Sequence, residues 1–318
     1  MSNLWHVWNW FRVGKNISWK LNFHTLGGYL CFASGDKVFK HSAERKHAFV
    51  LNYLKTEFSA IVEKYRNVEE SYAKPERNII WTLWWQGLES APELIKACIA
   101  SIKKHAGKAE VVVITKDNVS DYADIPEYIL EKREKGYISF AQLSDILRFL
   151  LLEKHGGLWL DSTIFVGHDI PEEAFSRPFY SQHTAWAETT FVQHNLWHGF
   201  SIGALPHAKL VSFAKDVFLE YWRTRDTLVD YLMIDYLLFL AYNEFDDIKA
   251  EIDGLSYTSE RLYDLVKALD DPCEEGWLEE LSEECLFSKL DWHRAYKKEN
   301  KGKPTYYARL LDFSGPSP

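Results

Sequence analysis

Residues 144–166 constrain the fold of this chain more than any other stretch: SDILRFLLLEKHGGLWLDSTIFV. The first half spaces its apolar residues as a helix does, and Gly156 and Gly157 follow where helices commonly end. The second half is a short apolar run that is typical of a buried strand. A helix joined to a strand by two glycines predicts an α/β protein in which the helix packs back onto a sheet.

Strand and helix patterns alternate on both sides of this stretch. Upstream, the order strand, helix, strand, helix occupies residues 78–85, 92–105, 109–115 and 125–136. A helix is expected over residues 139–155 and a strand over residues 158–166. Ser139 and Gln142 are placed as the capping box of that helix, and Gly156 as its end. Downstream come an apolar segment and two helices, at about residues 200–205, 208–223 and 228–242. This alternation predicts a mixed sheet with helices on both faces.

Two parts of the chain differ in pattern. Residues 1–77 are aromatic and basic at first and then helical in spacing, ending in a polar segment that contains Pro75. We expect them to form a helical N-terminal extension. Residues 78–318 are expected to form the main domain, including a helical C-terminal region.

Charge and cysteine content exclude several classes of function. The chain has 37 basic and 46 acidic residues, a net charge of −9, and such a balance argues against nucleic acid as a partner. Its cysteines Cys31, Cys98, Cys273 and Cys285 lie far apart, so neither a disulfide framework nor a zinc cluster is expected, and a reducing cytoplasm fits best. The most apolar window, residues 231–242, is about half the ~20 residues that a membrane-spanning helix needs. No secretory signal or membrane span is predicted.

The polar residues of the 144–166 stretch indicate a site. Asp145 and Arg148 are three positions apart on the helix and therefore lie on one face. On one continuous strand, Trp159, Asp161 and Thr163 would share a face, at the carboxyl end where α/β sheets bind ligands. The alternative is a surface ion pair worth ~0–1 kcal/mol beside a glycine-capped helix.

The ordered string resembles the SDxLR…GGxxxDxD core of sugar-nucleotide-dependent glycosyltransferases with the GT-A fold. It is most similar to the capsular polysaccharide synthesis proteins, which relate to the DxD-containing GT32-like transferases and whose version ends in Asp-x-Thr. Further similarity lies in IIWTLWWQG, in DNVSDYADIPEYILEK and in YLMIDY, and together these segments span roughly residues 78–245.

The resemblance implies a GT-A-like, Rossmann-like mixed sheet and a hexosyltransferase. Its donor would be a nucleotide sugar, expected to be a UDP-sugar, and its acceptor a lipid-linked or oligosaccharide precursor of capsular or other surface polysaccharide. Retention of anomeric configuration is expected, since it would need no strong general base. Two alternatives remain open: a non-catalytic homologue that binds nucleotide sugar or glycan, and a metal-dependent sugar phosphotransferase.

Residue roles follow from the same resemblance. Asp145 and Arg148 are assigned to the ribose and diphosphate, and Asp161 to the ribose and a divalent cation, so these three are the expected catalytic residues. Trp84 is expected to stack on uracil, with Trp81 as its alternative; core packing is the other reading of both.

The cation, Mn²⁺ or Mg²⁺, would be bound by Asp161 and Thr163. Thr163 offers a neutral hydroxyl where many GT-A enzymes have a second carboxylate, and a hydroxyl is a weaker ligand for these ions.

Three further side chains are candidates for ligand contacts. Lys289 and His293 belong to a basic tail segment, residues 286–309, that could close over the diphosphate; a solvated basic face is the alternative. Asp235 lies within an apolar helical run, where an unpaired carboxylate is costly. It is assigned to the acceptor, and the alternative is a structural role as a buried acid satisfied by backbone groups or an arginine.

The N-terminus suggests a membrane surface. Residues 1–35 contain Arg12, Lys15 and Lys20 with no acidic residue, and they include Trp5, Trp8, Trp10, Phe11 and Trp19. Indole rings favour the headgroup region and basic residues favour anionic lipids. Peripheral contact with the inner face of the cytoplasmic membrane is therefore one expectation, and packing of these aromatic residues against the main domain is the other.

Overall fold

A computed structural model of the chain describes residues 40–185 and 191–314. The expected membrane contact of residues 1–35, and Cys31 with it, lie outside the described residues. None of the described helices has the length and hydrophobicity that a membrane crossing requires.

The centre of the fold is a mixed five-stranded sheet. In chain order the strands are β1 (Ile79–Leu83), β2 (Glu110–Ile114), β3 (Gly157–Leu160), β4 (Ile164–Val166), β5 (Tyr180–Ser181), β6 (Ser201–Ala204), β7 (Phe287–Lys289), β8 (Glu299–Asn300) and β9 (Lys303–Pro304). The sheet order is β2-β1-β3-β6-β5, in which β1 runs parallel to β2 and β3, and β6 runs antiparallel to β3 and β5. Strands β4 and β7 form a separate antiparallel pair, and β8 and β9 form a hairpin.

Helices precede, connect and follow these strands. They are α1 (Lys40–Glu57), α2 (Ser59–Arg66), α3 (Glu93–His105), α4 (Glu127–Glu134), α5 (Phe140–His155), α6 (Lys209–Thr224), α7 (Met233–Glu244), α8 (Asp246–Asp253), α9 (Asp264–Ala268), α10 (Trp277–Glu284) and α11 (Tyr306–Leu311).

Alternating side chains divide the sheet between two apolar layers. Trp81 and Trp159 pack on one face into the large core that includes residues of α5, α6 and α7. Ile80 and Leu158 point to the other face, where Ile102 of α3 joins them in a second cluster. The predicted mixed sheet with helices on both faces is confirmed.

The predicted strand over residues 158–166 is wrong in its extent. β3 ends at Leu160, residues 161–163 form a turn closed by the bond from Ile164 N to Asp161 O (2.9 Å), and β4 then leaves to pair with β7. Asp161 and Thr163 therefore lie in a turn at the carboxyl end of β3 and not on one face of a continuous strand. Residues that follow a strand in this way are well placed to meet a ligand.

The C-terminal region contains the short helices α9, α10 and α11, but also β7 and the β8–β9 hairpin, so it is less helical than predicted. Pairing places Lys289 of β7 opposite Ile164 of β4. The two residues are more than 120 positions apart in the sequence, and their pairing brings the basic tail to the end of the central sheet.

The helices of the N-terminal extension pack on the main body. Leu54 and Phe58 of α1–α2, and Tyr65 of α2, belong to the same core as α6 and α7. The Tyr65 ring meets Phe213 edge to face at 5.6 Å, and its hydroxyl donates to Asp216 at 2.9 Å. The division into an extension and a domain starting at residue 78 stays a prediction.

Candidate active site

Helix α5 carries the first two candidate residues and is well defined at both ends. The Ser139 hydroxyl accepts from the backbone N–H of Gln142 at 3.2 Å, and Gly156 ends the helix with a φ of 66°. Asp145 and Arg148 lie on one face, as predicted, but they are only 9% and 3% exposed. They are therefore not the surface ion pair that the alternative reading proposes.

Arg148 joins two carboxylates from different elements. Its Nη1 donates to Asp145 Oδ1 at 3.0 Å, and its Nη2 donates to Asp161 Oδ1 at 3.1 Å. The guanidinium also lies 5.0 Å from the centre of the Trp159 ring. A planar group with several fixed donors suits such bridging, which an ammonium could not reproduce in the same geometry.

Asp161 is surrounded by donors. Besides Arg148, the indole Nε1 of Trp159 donates to Oδ1 at 3.0 Å, and Lys289 Nζ donates to Oδ2 at 2.7 Å. The same Lys289 Nζ donates to Thr163 Oγ1 at 2.8 Å. The two side chains that the resemblance assigns to a divalent cation are thus joined by an ammonium group.

The acids in this network have opposite pKa shifts. Burial raises the pKa of Asp145 to about 7, although Arg148 acts in the other direction. Burial would also raise the pKa of Asp161, but Lys289 and Arg148 outweigh it and hold that pKa below its usual value. Asp161 is therefore the fixed negative charge of the site, whereas Asp145 changes its charge near neutral pH.

Trp84 follows β1 at the carboxyl edge of the sheet and is half-buried. Its ring meets that of Trp292 edge to face, with centroids 5.4 Å apart, and Trp292 in turn lies 4.1 Å from the ring of His293. These three aromatic side chains line one wall of the cleft described below. Exposed His293 is bonded through Nδ1 to Asp291 at 3.2 Å.

Trp81 lies elsewhere. It is fully buried, its Nε1 donates to Gly156 O at 2.8 Å, and its ring packs against Tyr122 and His155. Since Trp81 does not line the cleft, its placement corresponds to the core-packing reading, and we leave it out of the donor site.

Asp235 of α7 also lines the cleft described below. It is 5% exposed and accepts from Trp197 Nε1 at 2.9 Å. Burial raises its pKa to about 6. The carboxylate is thus paired, but with an indole N–H and not with the backbone or arginine partner of the structural alternative, and it also lines the same cleft as Arg148.

The predicted site residues other than Trp81 border one open cleft of about 920 Å³. The Asp145–Arg148–Asp161 network, Trp84 and Asp235 all line it. A cleft of this size falls in the range of small-molecule sites. Gly199 borders Arg148: a Cβ there would lie 3.8 Å from Nη1, in ordinary contact.

A family model described as capsular polysaccharide synthesis protein matches residues 34–310, which is most of the chain. The chain belongs to this family. No curated protein sequence matches it.

Solved structures that are similar to this chain at low identity include two glycosyltransferases. The PaToxG glycosyltransferase is 15% identical, with 68% of this chain and 83% of that chain covered and a TM-score of 0.40. The apo structure of the bifunctional glycosyltransferase WbbM is 11% identical, with 80% of this chain and 52% of that chain covered and a TM-score of 0.38.

Several residues that line the cleft, among them Trp292, His198 and Tyr263, are not indicated by any local sequence pattern. Trp292 directly precedes His293 and completes the aromatic wall. Lys289 is predicted only as part of a basic tail, whereas it bonds Asp161 directly. The available signal was a lysine at the end of an apolar LFSKL run, which is compatible with an edge strand.

Proposed function

We propose that this protein is a nucleotide-sugar-dependent glycosyltransferase of capsular or other surface polysaccharide synthesis. The observation that carries the proposal is the network in which buried Asp145 and Arg148 of α5 meet half-buried Asp161, at the carboxyl end of β3, in the lining of an open cleft. Family membership is consistent with a role in polysaccharide assembly.

The donor would lie with its diphosphate toward Arg148 and Lys289. A guanidinium binds phosphate oxygens in pairs and an ammonium adds a point charge, so the two complement each other. The ribose hydroxyls would bond to Asp145 and Asp161. The base would stack on Trp84, with Trp292 beside it, and uracil is the base that we propose.

The chemistry requires little from the protein besides placement and charge. The bond between the anomeric carbon and the phosphate oxygen breaks, and its electron pair leaves with the diphosphate. An acceptor hydroxyl oxygen forms the new bond to that carbon and gives up its proton to the diphosphate or to water. Fixed positive groups beside the leaving oxygen stabilise the charge that develops there. We propose retention, and we place the acceptor, lipid-linked or oligosaccharide, on the Asp235 side.

Turnover of a donor panel tests the function. Purified protein is incubated with UDP-, GDP- and dTDP-sugars and simple glycoside acceptors, with Mn²⁺ or with EDTA, and released nucleotide is identified by chromatography. We expect a UDP-sugar to release UDP, UDP to bind more tightly than GDP, and Trp84→Ala to weaken UDP binding. Asp161→Ala should abolish turnover while the protein still folds, whereas Asp117→Ala, an exposed acid far along the chain, should not.

Other outcomes point to the other classes. Binding of UDP without turnover of any donor would favour a non-catalytic homologue, for which the hydroxyl of Thr163 in place of a carboxylate is the supporting feature. Release of nucleoside monophosphate would indicate phosphotransfer. Near-normal turnover in Asp161→Ala would contradict the donor site.

We also propose that residues 1–35 contact an anionic membrane surface, where a lipid-linked acceptor would be met. The support is their sequence alone, with three basic residues, no acidic ones and many aromatic ones. Full-length protein should pellet with anionic vesicles at low salt, and a chain starting at Ser34 should stay in the supernatant. Equal behaviour of the two would contradict this.

A further inference from the structure

A divalent cation is expected between the side chains of Asp161 and Thr163, and a lysine side chain lies there. Lys289 Nζ is 2.7 Å from Asp161 Oδ2 and 2.8 Å from Thr163 Oγ1. A cation bound by both oxygens would have to occupy the same place. An ammonium group has three donors, and these two contacts account for two of them.

Backbone pairing holds Lys289 in this position. Lys289 lies opposite Ile164 in the β4–β7 ladder, and the next residue, Leu290, donates its N–H to Thr163 O at 2.9 Å. The side chain is 24% exposed, and its ammonium also lies 5.1 Å from the centre of the Phe200 ring. A short strand that is paired beside the site therefore delivers the charge, and no long flexible loop is involved.

The acids near this position are already bonded within the protein. Mg²⁺ at a substrate site is usually bound by one or two carboxylates together with substrate phosphates and waters. Within residues 40–185 and 191–314, no group of three or more His, Cys, Asp or Glu side chains is arranged to hold a metal. Asp145 is bonded to Arg148 and Gln142, and Asp235 is bonded to Trp197. Since the Lys289 ammonium occupies the space between Asp161 and Thr163, the described residues do not fit a divalent cation in its expected place.

We propose that Lys289 supplies from the protein itself the positive charge that a divalent cation would bring to the donor diphosphate. The proposal rests on the proposed function, because it concerns the same donor site. A nucleotide sugar carries two negative charges on its diphosphate, and Arg148 and Lys289 provide two positive ones. The third donor of Lys289 would bond a phosphate oxygen, while Asp161 and Thr163 hold the ammonium in place.

Calorimetry of UDP binding tests whether Lys289 supplies the charge that a divalent cation would otherwise bring. The wild-type protein should bind UDP with the same affinity, within threefold, in EDTA and in Mn²⁺. Lys289→Met removes the charge at similar length and should weaken UDP binding in EDTA at least tenfold. Lys289→Arg should retain binding within about threefold, and Lys297→Met, which removes an exposed lysine of the same tail, should change nothing. Thermal unfolding of each variant verifies that it is folded.

A second titration uses Mn²⁺ alone and does not depend on nucleotide. Wild-type protein should bind no Mn²⁺ in the micromolar range. Micromolar binding of Mn²⁺ that Asp161→Ala abolishes would overturn the proposal, and so would tenfold tighter UDP binding in Mn²⁺ than in EDTA. Unchanged UDP binding by folded Lys289→Met would overturn it as well. If the wild type binds none of UDP, GDP and dTDP, with or without Mn²⁺, the proposed function fails and this proposal falls with it.

Discussion

Arg148 is the residue on which the proposed donor site depends most, because it connects helix α5 to the turn after β3. Its two terminal nitrogens are bonded to different acids, Asp145 and Asp161. A lysine at this position has one nitrogen and could not hold both acids and a diphosphate in the same geometry. Replacement by lysine therefore removes the geometry of the site while keeping its charge.

We expect Arg148→Lys to weaken UDP binding more than tenfold, on the order of 1.4 kcal/mol, as measured by calorimetry. Arg177→Lys is the matched control, since Arg177 also holds two acids, Glu173 and Glu251, but does not border the cleft. The control should leave UDP binding unchanged. Unchanged affinity in Arg148→Lys would give Arg148 a purely structural role.

Asp145 makes stability depend on pH in a direction that can be worked out. Its pKa in the folded protein is about 7, above the usual value of a carboxyl, so the folded state holds a proton that the unfolded state has lost. This contribution to stability is complete at low pH and disappears as the pH rises to about 7. Asp235 acts in the same direction with a pKa of about 6. Asp161, whose pKa is lowered, has the opposite effect, but only below about pH 4.

Between pH 5 and pH 8, we expect the free energy of unfolding to fall more in the wild type than in Asp145→Asn, by on the order of 2 kcal/mol. Urea unfolding at pH 5 and at pH 8 measures this change in the free energy of unfolding for each protein. The exposed-site variant Asp117→Asn should show the wild-type dependence. Equal pH dependence in the wild type and Asp145→Asn would mean that Asp145 is ionised throughout this range.

At the scale of elements, the connection from α5 to β3 determines where the site forms. Gly157 begins β3 with a φ of 100°, and a Cβ there would lie 2.3 Å from Ile79 O of the neighbouring strand. Gly156 precedes it with a φ of 66° and would place a Cβ 2.6 Å from Pro206 Cδ. Two glycines are needed here both for backbone conformation and for close approach of strands.

Gly157→Ala should therefore lower the free energy of unfolding by at least about 3 kcal/mol, or prevent soluble expression, since the contact is with backbone that cannot move alone. Gly302→Ala isolates the conformational part of this cost. Gly302 has a φ of 75° but open space around it, so its replacement should cost only about 1 kcal/mol. Similar losses in both variants, measured by urea unfolding, would contradict the steric argument.

For the whole molecule, the packing of α1 and α2 determines which part of the chain can fold. Phe58 and Tyr65 contact Tyr221 and Phe213 of α6, with ring centroids 6.0 and 5.6 Å apart. Lys46 bonds Asp230 at 2.9 Å close to the cleft. Without the two helices, a large apolar face of α6 and α7 would meet water.

We expect a chain starting at Asn78 to aggregate or to lose cooperative thermal unfolding, whereas a chain starting at Ser34, which keeps both helices, should unfold within a few degrees of the full-length protein. Differential scanning calorimetry compares the two. Cooperative unfolding of the shorter chain at the same temperature would support residues 78–318 as an independent domain.

The sequence determined those features that depend on neighbours along the chain. Helix α5 with its Ser139 cap, the two glycines, and the placement of Asp145 and Arg148 on one face all follow from local spacing and capping chemistry. Alternation of strands and helices gave the α/β class for the same reason. The resemblance in residues 144–166 led to the family, which the match over residues 34–310 established.

Tertiary structure alone decided what those side chains face. Sequence periodicity did not reveal that the strand would break after Leu160, that Asp145 and Arg148 would be buried, or that Trp292 would complete the wall beside Trp84. Lys289 reaches Asp161 through the pairing of β4 with β7, across more than 120 residues. The contacts, burial and charge of the site arise between segments distant in the chain, and the energy of such contacts is set by packing that no local pattern records.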